Sequence, residues 1–180
     1  MKLLRTIRLD PSDTFVFARA AEPGEWAVSG SFMFADADPS ALEGKPRAAF
    51  RSGFLGVPSL GWSTLAQIVE ASEEDRAALV AMLAECFVER LGAPDPATAR
   101  AAAEEEVAFA ASLCDQPRDM LIAVRRTCED GAIREAFRTL RPRGERKPMR
   151  AFSLVEVVGE EEPGETVDIV TLASENRENK

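Results

Sequence analysis

Acid–base chemistry in this chain would fall to carboxylates, lysine or cysteine, because the sequence contains neither histidine nor tyrosine. Histidine is the side chain whose charge changes near neutrality and the commonest transition-metal ligand. Its absence excludes, within one chain, a histidine-assisted triad and a histidine-containing zinc or di-iron site. Among the carboxylates, Glu104, Glu105 and Glu106 are consecutive. On a helix each lies about 100° from the next, so they cannot converge on a metal unaided, and a solvated face is expected. Glu85 and Glu89 share a helical face, with Arg90 and solvent as ordinary partners. Cys86 and Cys114 lie beside apolar stripes and read as small core residues; Cys128, next to Glu129 and Asp130, lacks the electropositive surroundings that make a thiolate. No catalytic residue, metal site or cofactor is expected.

A second candidate is the glycine-bearing stretch RSGFLGVPSLGWSTL, residues 51–65. Gly56 and Gly61 have the gap of a phosphate-binding loop, but Trp62 stands where that loop needs its lysine. GWSTL is likewise no nucleophile elbow, since Leu65 replaces the closing glycine and no histidine exists to activate Ser63. Backbone punctuation is the expectation, with at least one of Gly53, Gly56 and Gly61 at positive φ. The alternative is a pocket rim formed by Arg51, Phe54, Leu55 and Trp62.

The third candidate is basic. Arg134, Arg138, Arg141, Arg143, Arg146, Lys147 and Arg150 are opposed within their stretch only by Glu135 and Glu145. A solvated loop is one reading; charge-assisted binding of a phosphate, a carboxylate or an acidic partner is the other. The candidate ligand- or partner-binding set is therefore Arg51, Phe54, Trp62, Arg138, Arg141, Arg143 and Arg146.

These groups must be held by a scaffold. With 180 residues and 46% hydrophobic positions, the chain can build one core. The expected division is a single α+β domain over 1–158 and an acidic, partly disordered tail over 159–180. A net charge of −9 argues against nucleic-acid binding. No signal peptide and no membrane span is read, and unpaired cysteines suit a cytoplasmic setting.

KLLRTIRL and TFVFARA, separated by DPSD, predict two strands, and EWAVSGSFMFAD a third with Trp26, Phe32 and Phe34 inward. Residues 36–61 predict a long connection with one helical turn near Arg47–Arg51. WSTLAQIVEA predicts a central strand. Ser72 caps a helix carrying Leu79, Val80, Leu83, Phe87 and Leu91 on one stripe, which Gly92 ends. Asp95 and Pro96 open a second helix running to about Cys114, with Ala99, Ala103, Val107 or Ala110, and Leu113 inward. Asp130-Gly131 sits between two β-rich runs and predicts a hairpin; MRAFSLVEVVG gives one more strand. Without strict β–α alternation, the expected fold is α+β, a mostly antiparallel sheet with a two-helix hairpin packed on one face.

The stretches AFRSGFLGVPSLGWSTLAQIVEA, AAAEEEVAFAASLCDQP and EDGAIREAFRTLRPRGERKPMRAF together resemble an uncharacterised family of small alphaproteobacterial proteins, a domain of unknown function. The resemblance implies no catalytic residue, and points to an accessory role in enzyme or cofactor maturation. Two readings of function stand. One is a non-catalytic binding or accessory protein with a protein partner or a second copy of itself. The other is a small-molecule enzyme or ligand carrier, in which Arg51 and an arginine of the C-terminal hairpin hold an anionic ligand. Neither reading involves nucleic acid or a membrane.

Overall fold

A computed structural model describes residues 1–141 and 156–157. The strands are β1 (Lys2–Ile7), β2 (Trp26–Val28), β3 (Phe54–Gly56), β4 (Gly61–Ser63), β5 (Leu65–Glu70), β6 (Leu121–Glu129), β7 (Ala132–Arg141) and β8 (Glu156–Val157). They form one sheet in the order β4-β3-β2-β1-β5-β6-β7-β8, and neighbouring strands run antiparallel. The helices are α1 (Ser12–Val16), α2 (Gly44–Ser52), α3 (Glu73–Leu91) and α4 (Pro96–Ser112). The fold is α+β, as the order of elements predicts.

The sheet is curled, and the chain path requires it. Strands β4 and β5 are four steps apart in the sheet, about 19 Å if it were flat. Only Thr64 separates them in sequence, a link that reaches about 7 Å. The Ser63 hydroxyl donates to the Ile7 carbonyl at 3.0 Å, closing the bend. Thr64 is itself held: its N–H and its hydroxyl both donate to the buried Asp13 carboxylate. WSTLAQIVEA is thus two strands, because Asp13 and the two hydroxyls take up the backbone and side-chain groups at the crease.

The helix signals hold. Ser72 accepts from Asp75 N–H while the Asp75 carboxylate accepts from Ser72 N–H, a reciprocal cap, and Gly92 ends α3 in the left-handed region at φ 70°. Asp95 accepts from Ala97 and Thr98 N–H groups, with Pro96 at the first helical position. Leu79, Val80, Leu83, Cys86 and Phe87 of α3 are buried, as are Ala99, Ala103, Val107 and Ala110 of α4. Leu91, expected inside, is 42% exposed, because the helix ends as it clears the core.

Three expectations fail nearer the N-terminus. TFVFARA is not a strand: DPSD starts the one-turn helix α1, with Asp10 accepting from Ser12 N–H and the Thr14 hydroxyl donating to the Pro11 carbonyl. An Asp-Pro-Ser-Asp run serves a helix start as well as a turn. The third strand stops at Val28, because Gly30 turns left-handed at φ 80° and leads into a 3₁₀ turn over Ser31–Phe34. Trp26 stays half-buried beneath the Arg5 guanidinium, 3.7 Å from the ring centroid, whereas Phe34 is buried. Residues 36–61 are more ordered than expected, holding a second 3₁₀ turn, all of α2, β3 and the turn into β4.

Asp130 and Gly131 both have positive φ, 52° and 78°, the primed turn that their sequence predicts. The turn fixes the register of the longest hairpin, pairing Val124 with Phe137 and Arg126 with Glu135 on one face. The other face carries Arg125, Arg134 and Arg138.

Candidate functional site

Where the two ends of the curled sheet approach each other, α4 covers a polar cluster inside the core. Phe54 of β3 and Phe137 of β7 lie with ring centroids 6.2 Å apart, though four strands stand between theirs in the sheet. Phe109 of α4 packs edge-on against Phe137 at 5.7 Å. Next to this aromatic contact, the Arg126 side chain is fully buried.

All five N–H groups of Arg126 are engaged. Nε donates to Glu135 Oε1 at 2.6 Å. Nη1 donates to the carbonyls of Phe50 at 3.1 Å and Gly53 at 2.7 Å, and Nη2 to the Ser29 carbonyl and hydroxyl. The Ser29 hydroxyl in turn donates to Glu135 Oε1. Phe50 and Gly53 lie at the C-terminus of α2, where carbonyls lack helical partners and a cation is favoured by the helix dipole. One guanidinium thus ties β6, β7, the end of β2 and the end of α2 together. Burial pulls the Arg126 pKa down and the Glu135 carboxylate pulls it back up.

Glu106 is the remaining member. It stands three residues before Phe109 on α4, so both reach toward β7, where Glu135 and Phe137 share the inner face. Its Oε2 atom is buried and accepts no hydrogen bond among the described residues. Burial first, then the nearby Glu135 carboxylate, push its pKa up to about 7, against a smaller opposing pull from Arg126. The three glutamates therefore do not form one solvated face: Glu104 pairs with Arg100 at 3.1 Å, Glu105 is exposed, and Glu106 turns inward.

The candidate residues read from the sequence are dispersed. Phe54 is fully buried and Trp62 is half-buried, stacked on Phe34 at 5.3 Å, so both belong to the core. Arg51 is exposed on α2, and Arg138 and Arg141 are exposed on β7. Arg143 and Arg146 lie outside the described residues, as do the tail over 159–180 and most of the strand expected over MRAFSLVEVVG. Gly53, Gly56 and Gly61 all have ordinary φ, and the positive value falls instead on Leu60, at 53°. What they provide is close approach. A Cβ on Gly61 would come 2.6 Å from Ala21 N, one on Gly53 2.7 Å from the Trp62 ring, and one on Gly56 2.8 Å from Ala21 Cβ. The neighbour pressed against each glycine is the protein itself.

Among the described residues, no group of three acidic or thiol side chains could hold a metal ion, and no helix is long and apolar enough to cross a membrane. The match to known proteins is to a family alone: residues 1–155 fit its model. The chain belongs to DUF6505, a family of unknown function. No curated protein and no solved structure matches the chain. For this DUF6505 member the inward-facing Ser29–Glu106–Arg126–Glu135 cluster, with Ser29 and Arg126 buried and the two glutamates partly so, is the feature that reading by motif overlooks. Its signal was present: in LIAVRRTCE, Arg126 falls in phase with Ile122 and Val124, and the Asp130-Gly131 turn places Glu135 opposite it.

Proposed function

We propose that this DUF6505 chain is a non-catalytic binding or accessory protein that meets an acidic protein partner through the outer face of the β6–β7 hairpin. One observation carries the reading. Arg125, Arg134 and Arg138 share that face as exposed neighbours on paired strands, in a chain whose net charge is −9. Among the described residues only Arg134 of the three makes an ion pair, with Glu129 at 2.7 Å. Basic groups segregated in an acidic protein attract a complementary surface and orient it during encounter. The absence of histidine supports a binding role, and a task in enzyme or cofactor maturation fits such a protein.

The alternative, an anionic small molecule held between residues 51–65 and the hairpin, calls for a hairpin arginine with N–H groups to spare. Among the described residues, the hairpin arginine that bonds to this segment is Arg126, through the Gly53 carbonyl, and its donors are all taken. The test is reversal of Arg125 and Arg138 to glutamate, with quantitative capture of partners by wild type and variant at several salt concentrations. Loss of a stoichiometric, salt-sensitive acidic partner at unchanged melting temperature is expected. Equal capture by both proteins removes this face from the reading.

A further inference from the structure

Among the described residues, the core cluster contains one cation and two carboxyl groups. The Arg126 guanidinium is matched by Glu135, which it touches directly, and has no N–H left to give. Glu106 is then a second carboxyl beside the same carboxylate, with one oxygen buried and no donor to meet it among the described residues. An ionised carboxylate in that position is penalised by its burial and by the Glu135 charge, with only a smaller pull from Arg126 to offset them, and a proton removes that penalty. We propose that the contact between α4 and the sheet is a proton-dependent clasp, closed while Glu106 is neutral and loosened when Glu106 ionises next to Glu135.

The surroundings leave the proton on Glu106 as the controlling variable. Among the described residues, the charged groups acting on it are Glu135 on β7, Arg126 on β6 and Glu105 on its own helix. The other elements packed on α4 are α3, β1 and β2. Helix α3 contributes buried Leu79, Val80, Leu83, Phe87 and the Cys86 thiol, whose pKa burial pushes up, away from neutrality. Strand β2 contributes buried Ala27 and Val28. On β1, Leu3, Leu4 and Thr6 are buried, while Lys2 and Arg5 donate to the carbonyls of Gln116 and Gly24. No histidine is present to mask or compete with a carboxyl that titrates near neutrality.

The direction follows from linkage. Glu106 ionises at about 7 in the folded chain and at the ordinary 4.5 when unfolded, so folding takes up a proton between those values. The stabilisation is complete below the unfolded value and is lost as pH rises through the folded one. The decisive measurement is a carbon-13 NMR titration of side-chain carboxyls in the full chain, with Glu106→Gln identifying the resonance. A Glu106 midpoint near 7 is expected. Thermal melts should fall between about pH 5 and 8 for wild type and stay flatter for Glu106→Gln, and α4 amides should exchange faster in wild type than in the variant at pH 8. A Glu106 midpoint below about 5.5 overturns the clasp, and so do superimposable pH profiles for the two proteins. Should the variant fail to fold, the wild-type titration alone decides.

Discussion

Replacing Arg126 by methionine keeps the stem of the side chain and deletes its five donors, which makes it the sharpest probe of how this fold is held. Three carbonyls, those of Ser29, Phe50 and Gly53, lose a partner, and the Glu135 carboxylate, whose side chain is only 14% exposed, keeps the Ser29 hydroxyl but no counter-charge. Breaking a buried ion pair by removing one partner costs about 3–5 kcal/mol. Each stranded carbonyl adds about 1 kcal/mol where it cannot turn to water. Domain stabilities are about 5–15 kcal/mol, so Arg126→Met should bring the protein close to its folding limit. Urea unfolding of Arg126→Met, Glu135→Leu and the double variant measures this as a cycle. The double variant, with both charges gone, should recover about 2 kcal/mol or more relative to the sum of the single losses. A loss under about 1 kcal/mol for Arg126→Met, or strict additivity, would refute the assignment of Arg126 as the tie between hairpin, sheet and α2.

The two-helix layer should be equally sensitive at Leu83, which is fully buried on α3: Leu83→Ala is expected to cost about 2–5 kcal/mol in the same assay. Gly61→Ala should cost about 1–3 kcal/mol of stability through overpacking, read by urea unfolding, because its Cβ would press on the Ala20 and Ala21 backbone at 2.6–2.7 Å, without any change in local φ. Under native conditions a thiol reagent should modify Cys128, which is exposed, and spare Cys86 and Cys114, which are buried; mass spectrometry of the labelled peptides reads this. The Cys114 thiol, pushed up to about 11 by burial, should stay unlabelled at pH 8 until the chain is unfolded.

Elements specified by local chemistry were legible in the sequence. Ser72, Gly92, Asp95 and Pro96 satisfy helix ends by hydrogen bonds within a few residues, and Asp130-Gly131 sets a turn by its own backbone preference. The errors cluster where distant residues decide the outcome. Phe15 and Phe17 look like strand residues, yet Asp13 is drawn to Thr64, 51 positions away, and the segment coils into α1. Gly53, Gly56 and Gly61 advertise an unusual backbone, but what they permit is the approach of Ala20, Ala21 and Trp62, which no spacing rule reveals. Arg126 and Glu106 look like surface residues because their types usually are. Period-two phase on β6 points Arg126 inward; for Glu106, only the position of Phe109 against Phe137 does so.

The single-residue crease at Thr64 bears on how this family can vary in length. Inserting or deleting one residue there would shift β5 by one position against both β1 and β6, exchanging buried Ala66 and Ile68 with Leu65, Gln67 and Val69. Gln67 would then enter the core, and the Asp13 ties to Thr64 would no longer reach. The stretch from Ser63 to Glu70 is accordingly a fixed ruler: a substitution leaves its register in place, whereas a change in its count does not. A change in length is expected to be absorbed more readily in the connection over 35–43, which lies outside the sheet.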